Sequence, residues 1–217
     1  MFETDKRRPL KTRGNSLARA AARSISRKNI TPNQISILSI ACAAFAAYFI
    51  LQSVNALNRN LYLVGAAIFI QLRLLCNMLD GMVAVEGGKG TESGELFNEI
   101  PDRIDDILII TSLGYAINLH SYDAALGWLA ALLAVMTAYV RALGTSVGAP
   151  CNFTGPMAKP HRMALITLAC LVSCYESAFW AQGTVFFVTL IILIAGTALT
   201  VYRRTLSTYQ FLERKND

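Results

Sequence analysis

Residues 77–106 read NMLDGMVAVEGGKGTESGELFNEIPDRIDD, and they hold eight of the chain's 14 acidic residues between two long apolar runs. Carboxylates are expensive at membrane depth, so they face a bundle interior or a watery cavity and mark a site by default. The rest of the chain supplies the membrane context. Of its 217 residues 54% are hydrophobic, and the mean hydropathy is positive. Crossing roughly 30 Å of hydrocarbon takes about 20 apolar residues in a helix. Six runs are read as spans, near Ile35–Leu51, Leu61–Val83, Leu96–Ile117, Ala124–Leu143, Met163–Phe179 and Val185–Tyr202. The expected fold is all-α and integral to the membrane, a six-transmembrane-helix bundle forming one domain over residues 1–217. No cleavable signal peptide is expected, because residues 1–30 are basic throughout and lack an apolar core.

Lysine and arginine placement orients the spans. Nine bases precede the first run: Lys6, Arg7, Arg8, Lys11, Arg13, Arg19, Arg23, Arg27 and Lys28. The far end carries Arg203, Arg204, Arg214 and Lys215, while Arg59 is the base expected on the outer side. Both termini are therefore expected in the cytoplasm of a cell whose inner membrane holds the protein. The net charge of +6 reads as topology and as attraction to anionic lipid, worth about 1 kcal/mol per residue, rather than as nucleic-acid binding. Within SLARAAARSISRK, Arg19, Arg23 and Arg27 recur every fourth residue with Leu17, Ala21 and Ile25 on another stripe. That pattern predicts an N-terminal interfacial amphipathic helix within the basic 1–30 segment. The five cysteines read as reduced thiols, since no histidine completes a zinc set.

The opening stretch can now be laid on helices. Residues three and four apart are neighbours on a helix face, so Arg73, Asn77 and Asp80 share one stripe if the second span continues through Asp80. A third span beginning near Gly94 places Asn98, Asp102 and Asp105 on another, with Glu95 and Glu99 beside it. The glycine-rich AVEGGKGTESG between them lets the two helices return antiparallel, so the stripes meet at one end. Facing oxygen donors suit a hard divalent cation such as Mg²⁺ or Mn²⁺. Pairing of the acids with Arg73 and Arg103 would account for the same pattern, and a cation transporter would also carry acids there.

The stretch resembles the CDP-alcohol phosphotransferase family, whose motif is D-x2-D-G-x2-A-R-x8-G-x3-D-x3-D. Asn77, Asp80, Gly81, Ala84, Val85, Gly94, Asn98 and Asp102 occupy its positions with every spacing kept. The six spans and the TPNQISILS entry to the first also fit. Asn77 and Asn98 stand where the common motif has aspartate, and Val85 where it has arginine. The two amides match a bacterial branch of the family with N-x2-D-G and G-x3-N-E-x2-D forms.

The resemblance implies transfer of a substituted phosphate from a CDP-linked lipid, CDP-diacylglycerol or another CDP-alcohol, to an acceptor hydroxyl, with release of CMP. It implies Asn77, Asp80, Asn98 and Asp102 as ligands of Mg²⁺ or Mn²⁺, and Asp102 as the general base. Asp80, Gly81, Ala84 and Gly94 fall at the nucleotide, where small residues let it approach the backbone. Lys89 is the nearest base to replace the arginine missing at Val85. A second basic group, Arg141, Lys159 and Arg162, lies on the same expected side and could hold the phosphate of a phosphorylated acceptor. A homodimer is a further implication of the family. The contrasting reading is a catalytically silent or cation-transporting bundle that keeps the fold.

The topology is open to a direct test. A single cysteine placed at position 89 should react with a membrane-impermeant maleimide only after the cytoplasmic face is opened, and labelling from the outside alone would refute the orientation.

Overall fold

A computed structural model describes Ser24, residues 30–86 and residues 93–216. The expected interfacial helix and Lys89 lie outside the described residues. Among the described residues the chain is helical without strands: α1 (Pro32–Gln52), α2 (Arg59–Glu86), α3 (Gly94–Ile117), α4 (Asp123–Ser146), α5 (Lys159–Ser173) and α6 (Thr184–Asn216), with one 3₁₀ turn at Glu176–Ala178.

Local chemistry sets the ends of these helices. At the start of α1, Thr31 and Gln34 cap each other's backbone N–H groups, at 3.3 and 3.0 Å, with Pro32 in the first turn. This reciprocal cap satisfies donors that a helix start otherwise leaves open. Asn118 ends α3 in the left-handed conformation. Asp123 then accepts from the N–H groups of Leu119 and His120 at 2.7 and 2.6 Å, tightening the turn into α4.

Packing makes a closed ring in the order α1, α2, α5, α6, α4, α3, with α3 also touching α6 across the middle. Helix α3 is the most enclosed. Ile109, Ile110 and Leu113 are fully buried in its second half, in one core cluster with Leu63 and Ile70 of α2, Ala130 and Ala134 of α4, Ile166 of α5 and Leu190 of α6. The outer surface is apolar as well, with Phe45, Trp128, Leu132, Val188 and Tyr202 exposed. A largely apolar coat of this kind suits lipid rather than water.

Four helices, α1, α2, α4 and α6, are long and apolar enough to cross a membrane. Helix α3 carries the acids, and α5 has only 15 residues, about 22 Å at 1.5 Å per residue. The apolar run expected to continue from Met163 to Phe179 thus ends its helix early, at Ser173. The reason is Glu176, which is fully buried. Its carboxylate accepts from Arg59 at 2.8 Å and from the Val185 N–H at 2.6 Å, folding the chain inward where a longer helix would have carried it onward.

Helices α3 and α4 approach through a pair of glycines. A Cβ at Gly114 would lie 2.8 Å from the Asp123 carbonyl oxygen and 2.9 Å from the Gly127 Cα. Small residues of this kind let helix backbones come close in a membrane. Gly114→Ala should force the two backbones apart at a cost of about 1–3 kcal/mol, read as a lowered thermal midpoint in detergent. Gly196→Ala, whose added methyl meets the flexible side chain of Met157, should lower it less.

Candidate active site

Because successive helices alternate in direction, the starts of α1, α3 and α5 and the ends of α2, α4 and α6 come to one end of the bundle. Both stripes read from the sequence lie there, and Asn77 and Arg73 of the first face Asp102 and Asp105 of the second. Asp80 on α2 and Asp102 on α3 are each under 5% exposed. The Asn77 amide nitrogen donates to Asp102 Oδ1, which joins the two helices at the motif itself. Asp80 accepts from Ser36 on α1 at 2.6 Å and from the Gly81 N–H at 2.5 Å. Gly81, Ala84 and Gly94 are partly exposed and Asn98 is exposed on α3. Val85 is 61% exposed, so the position of the motif's arginine points out of the packed interior.

Behind the motif residues stands a buried ion-pair network. Arg73, fully buried one turn before Asn77, donates through Nε to Asp105 at 2.7 Å and through Nη2 to Asp106 at 3.3 Å. Asp105 also accepts from Ser39 of α1 at 2.9 Å. The other oxygen of Asp106 accepts from Arg162 of α5 at 2.5 Å. Arg162 Nη1 in turn donates to the Met157 carbonyl at 2.9 Å. Gly155 (φ +123°) permits this loop path, and the Met157 N–H donates to Thr200 of α6.

All three bases of the proposed acceptor cluster reach this end, and each meets an acid of α3. Arg141 pairs with Glu99 at 2.6 Å, Lys159 with Asp102, and Arg162 with Asp106. Arg103 adds a 3.3 Å contact to Glu99 and a 3.6 Å contact to Asp102. Arg141 keeps 20% of its side chain exposed, whereas that of Arg162 is 1% exposed. Ser36, Ser39 and the Asp106–Arg162 pair were not singled out from the sequence. The serines have a faint signal, two hydroxyls three residues apart at the start of an apolar run. The Asp106–Arg162 pair spans 56 positions and leaves none.

Among the described residues no cluster of three or more Asp, Glu, His or Cys side chains is arranged to hold a metal. A cation between α2 and α3 would therefore take amide as well as carboxylate oxygens. The set present is suitable in kind, because Asp80, Asp102 and the Asn77 carbonyl oxygen are all hard donors. The two carboxylates are also buried with negative charge to share.

Comparison with known proteins places this site in context. Residues 29–206 match the family model described as CDP-alcohol phosphatidyltransferase. The chain is 27% identical over 185 residues to a phosphatidylinositol phosphate synthase of Corynebacterium glutamicum, covering 81% of this chain and 76% of that protein. It is 24% identical over 153 residues to an Escherichia coli inner membrane protein, YnbA, covering 70% of this chain and 73% of that one. In fold it is similar to the Mycobacterium tuberculosis phosphatidylinositol phosphate synthase crystallised with CDP-DAG, with a TM-score of 0.74 at 21% identity over 90% of this chain and 94% of that one. The same enzyme with manganese and citrate gives 0.73 at 21% identity, covering 88% of each chain.

The ion-pair network predicts a large stability effect at one position. Arg162→Met leaves one oxygen of the buried Asp106 carboxylate without its cation, and breaking such a pair from one side costs about 3–5 kcal/mol. The variant should unfold at a clearly lower temperature in detergent. Adding Asp106→Asn should return part of the loss, and additive losses would show that the pair is not coupled.

Proposed function

Because the chain belongs to the CDP-alcohol phosphatidyltransferase family, we propose that it passes the phosphatidyl group of CDP-diacylglycerol to an acceptor hydroxyl at the bundle end where Asp80 and Asp102 meet. The observation that carries this reading is their joint burial, from two different helices, at motif positions 22 residues apart with every intervening spacing kept. The acceptor oxygen forms its bond to the phosphorus distal to cytidine as the bond to CMP breaks. Phospholipid synthesis is the setting in which such a product is made.

Each group has a role suited to its surroundings. Asp102 takes the proton of the acceptor hydroxyl, a contribution of about 100- to 10,000-fold for a positioned base. Its Oδ1 receives the Asn77 amide and the Lys159 ammonium, while its Oδ2 has the Arg103 guanidinium at 3.6 Å. Asp80, Asp102, Asn77 and Asn98 supply the oxygens for Mg²⁺ or Mn²⁺, which when bound neutralises the diphosphate and the departing CMP. Gly81, Ala84 and Gly94 keep room for the nucleotide beside the backbone. Arg73 holds the Asp105 and Asp106 side of α3 in register with α2.

On the acceptor side the basic cluster divides. Arg162 is enclosed by Asp106, Met157 and Thr137, which suits it to support the site from behind. Arg141, half turned to the surface beside Glu99 and 5.3 Å above the Phe153 ring, is the base of this group best placed for an acceptor phosphate. The Corynebacterium relative's name supports a phosphorylated acceptor. Lys89 stays the candidate for the donor phosphate in place of the base absent at Val85. Six membrane passes with both ends and the site in the cytoplasm complete the proposal, supported by the alternation of the six helices and the basic residues at this end.

Purified protein supplied with CDP-diacylglycerol, a panel of acceptors and Mg²⁺ or Mn²⁺ should release CMP only when the right acceptor is present. Asp80→Ala and Asp102→Ala should each lower that rate by about 100-fold or more. Activity that survives both substitutions, or that needs no divalent cation, would overturn the assignment.

A further inference from the structure

Glu99 is partly exposed on α3, one turn before Arg103, and the reaction described above gives it no task. Its two oxygens meet different bases. Oε1 lies 2.6 Å from Arg141 Nη2 of α4, and Oε2 lies 3.3 Å from Arg103 Nη2. Two guanidinium groups from separate helices thus converge on one carboxylate. Each has a support that does not depend on that carboxylate. Arg103 Nε donates to the Glu99 backbone carbonyl at 3.2 Å, and its Nη2 lies 3.6 Å from Asp102 Oδ2. Arg141 lies over the Phe153 ring, its guanidinium carbon 5.3 Å from the ring centroid.

The cluster opens to the surface, with 43% of the Glu99 side chain exposed and 20% of each arginine. An ion pair this open is worth little, because water screens it and holding long side chains in one geometry costs entropy. The carboxylate can therefore swing out at small cost and leave both arginines in place. A phosphate monoester gains more from the same seat. It brings close to two negative charges near neutral pH and three acceptor oxygens, against one charge and two oxygens for Glu99. Guanidinium forks bind such a group through paired charge-assisted hydrogen bonds. An acceptor with a single carboxylate offers only what the glutamate already supplies. Position matters as well, since Arg103 also contacts Asp102, and an anion seated between Arg103 and Arg141 lies beside the base that takes the acceptor proton.

Building on the proposal that the acceptor is phosphorylated and meets Arg141, we propose that Glu99 is a resident stand-in for the acceptor phosphate and selects for dianionic acceptors. Its carboxylate bridges Arg103 and Arg141 while the acceptor is absent, and a phosphate displaces it.

Inorganic phosphate is the probe, its binding to the detergent-purified full chain followed by broadening of the phosphorus magnetic resonance signal without donor present. The unaltered protein should bind it weakly, and Glu99→Gln, which removes the competing charge, about five- to tenfold more tightly. Adding Arg141→Gln to that variant should abolish the gain. Acetate should displace phosphate from Glu99→Gln more readily than from the unaltered protein. In turnover, Glu99→Gln should lower KM for the acceptor found active in the panel and leave KM for CDP-diacylglycerol unchanged, a split that a merely structural ion pair would not produce. Glu99→Ala repeats the test if the glutamine variant does not elute as a folded species. Phosphate affinity unchanged in these variants, or a gain that survives Arg141→Gln, would overturn the proposal while leaving the acceptor reading intact. CMP release with unphosphorylated acceptors alone would remove that reading and this inference with it.

Discussion

The carboxylate of Asp106 is the constraint around which the motif-bearing end of the bundle is arranged. It is fully buried on α3 and bound by Arg73 from α2 on one oxygen and by Arg162 from α5 on the other. Desolvating three charges is costly, and Coulomb attraction repays it only when geometry and remaining hydrogen bonds are good. Arg73 gains a further carboxylate in Asp105, and Arg162 gains the Met157 carbonyl. What the network delivers is register, since three helices cannot slide past one another without stranding a charge. Asp80 and Asp102 inherit their relative positions from it.

Helix α3 shows how composition and burial part company in a membrane bundle. It is not among the four helices long and apolar enough to cross a membrane, yet it is buried along most of its length, packed on α1 and α4 in the ring and on α6 across it. A helix facing lipid on one side must be apolar there, whereas a central helix faces other helices and can carry charge if partners are supplied. Its acids end at Asp106, a mostly apolar stretch follows, and the glycine at 114 lets α4 approach the latter.

How far the sequence speaks follows from this division. The period of the apolar runs located the helices closely, and the motif spacing put Asp80, Asp102 and Asn77 on facing stripes, because both signals are local. The partners of the acids are not local. Arg162 finds Asp106 across 56 positions and Lys159 finds Asp102 across 57, so a cluster of bases that reads as a free anion site is in fact joined to the acids base by base. Ser36 and Ser39 were hidden for the same reason, as hydroxyls in a span have many uses. The early end of α5 escaped because hydropathy weighs Glu176 as one residue among many, while in the fold its pairing with Arg59 redirects the chain. Val85 has no structural explanation among the described residues.

Arg59 and Arg73 sit 14 residues apart on α2, about 21 Å along its axis, and each is held by acids belonging to other parts of the bundle. A rod clamped at two well-separated points can neither roll nor piston, even if its middle contacts loosen. The α2–α5 side of the ring is thereby its stiff wall, since Arg59 also binds the Ser173 carbonyl at the end of α5. Between α4 and α6 the tie is of another kind, the Arg204 guanidinium donating to the Thr137 carbonyl at 2.6 Å, so that seam is held by a charge set against a backbone dipole rather than by paired charges.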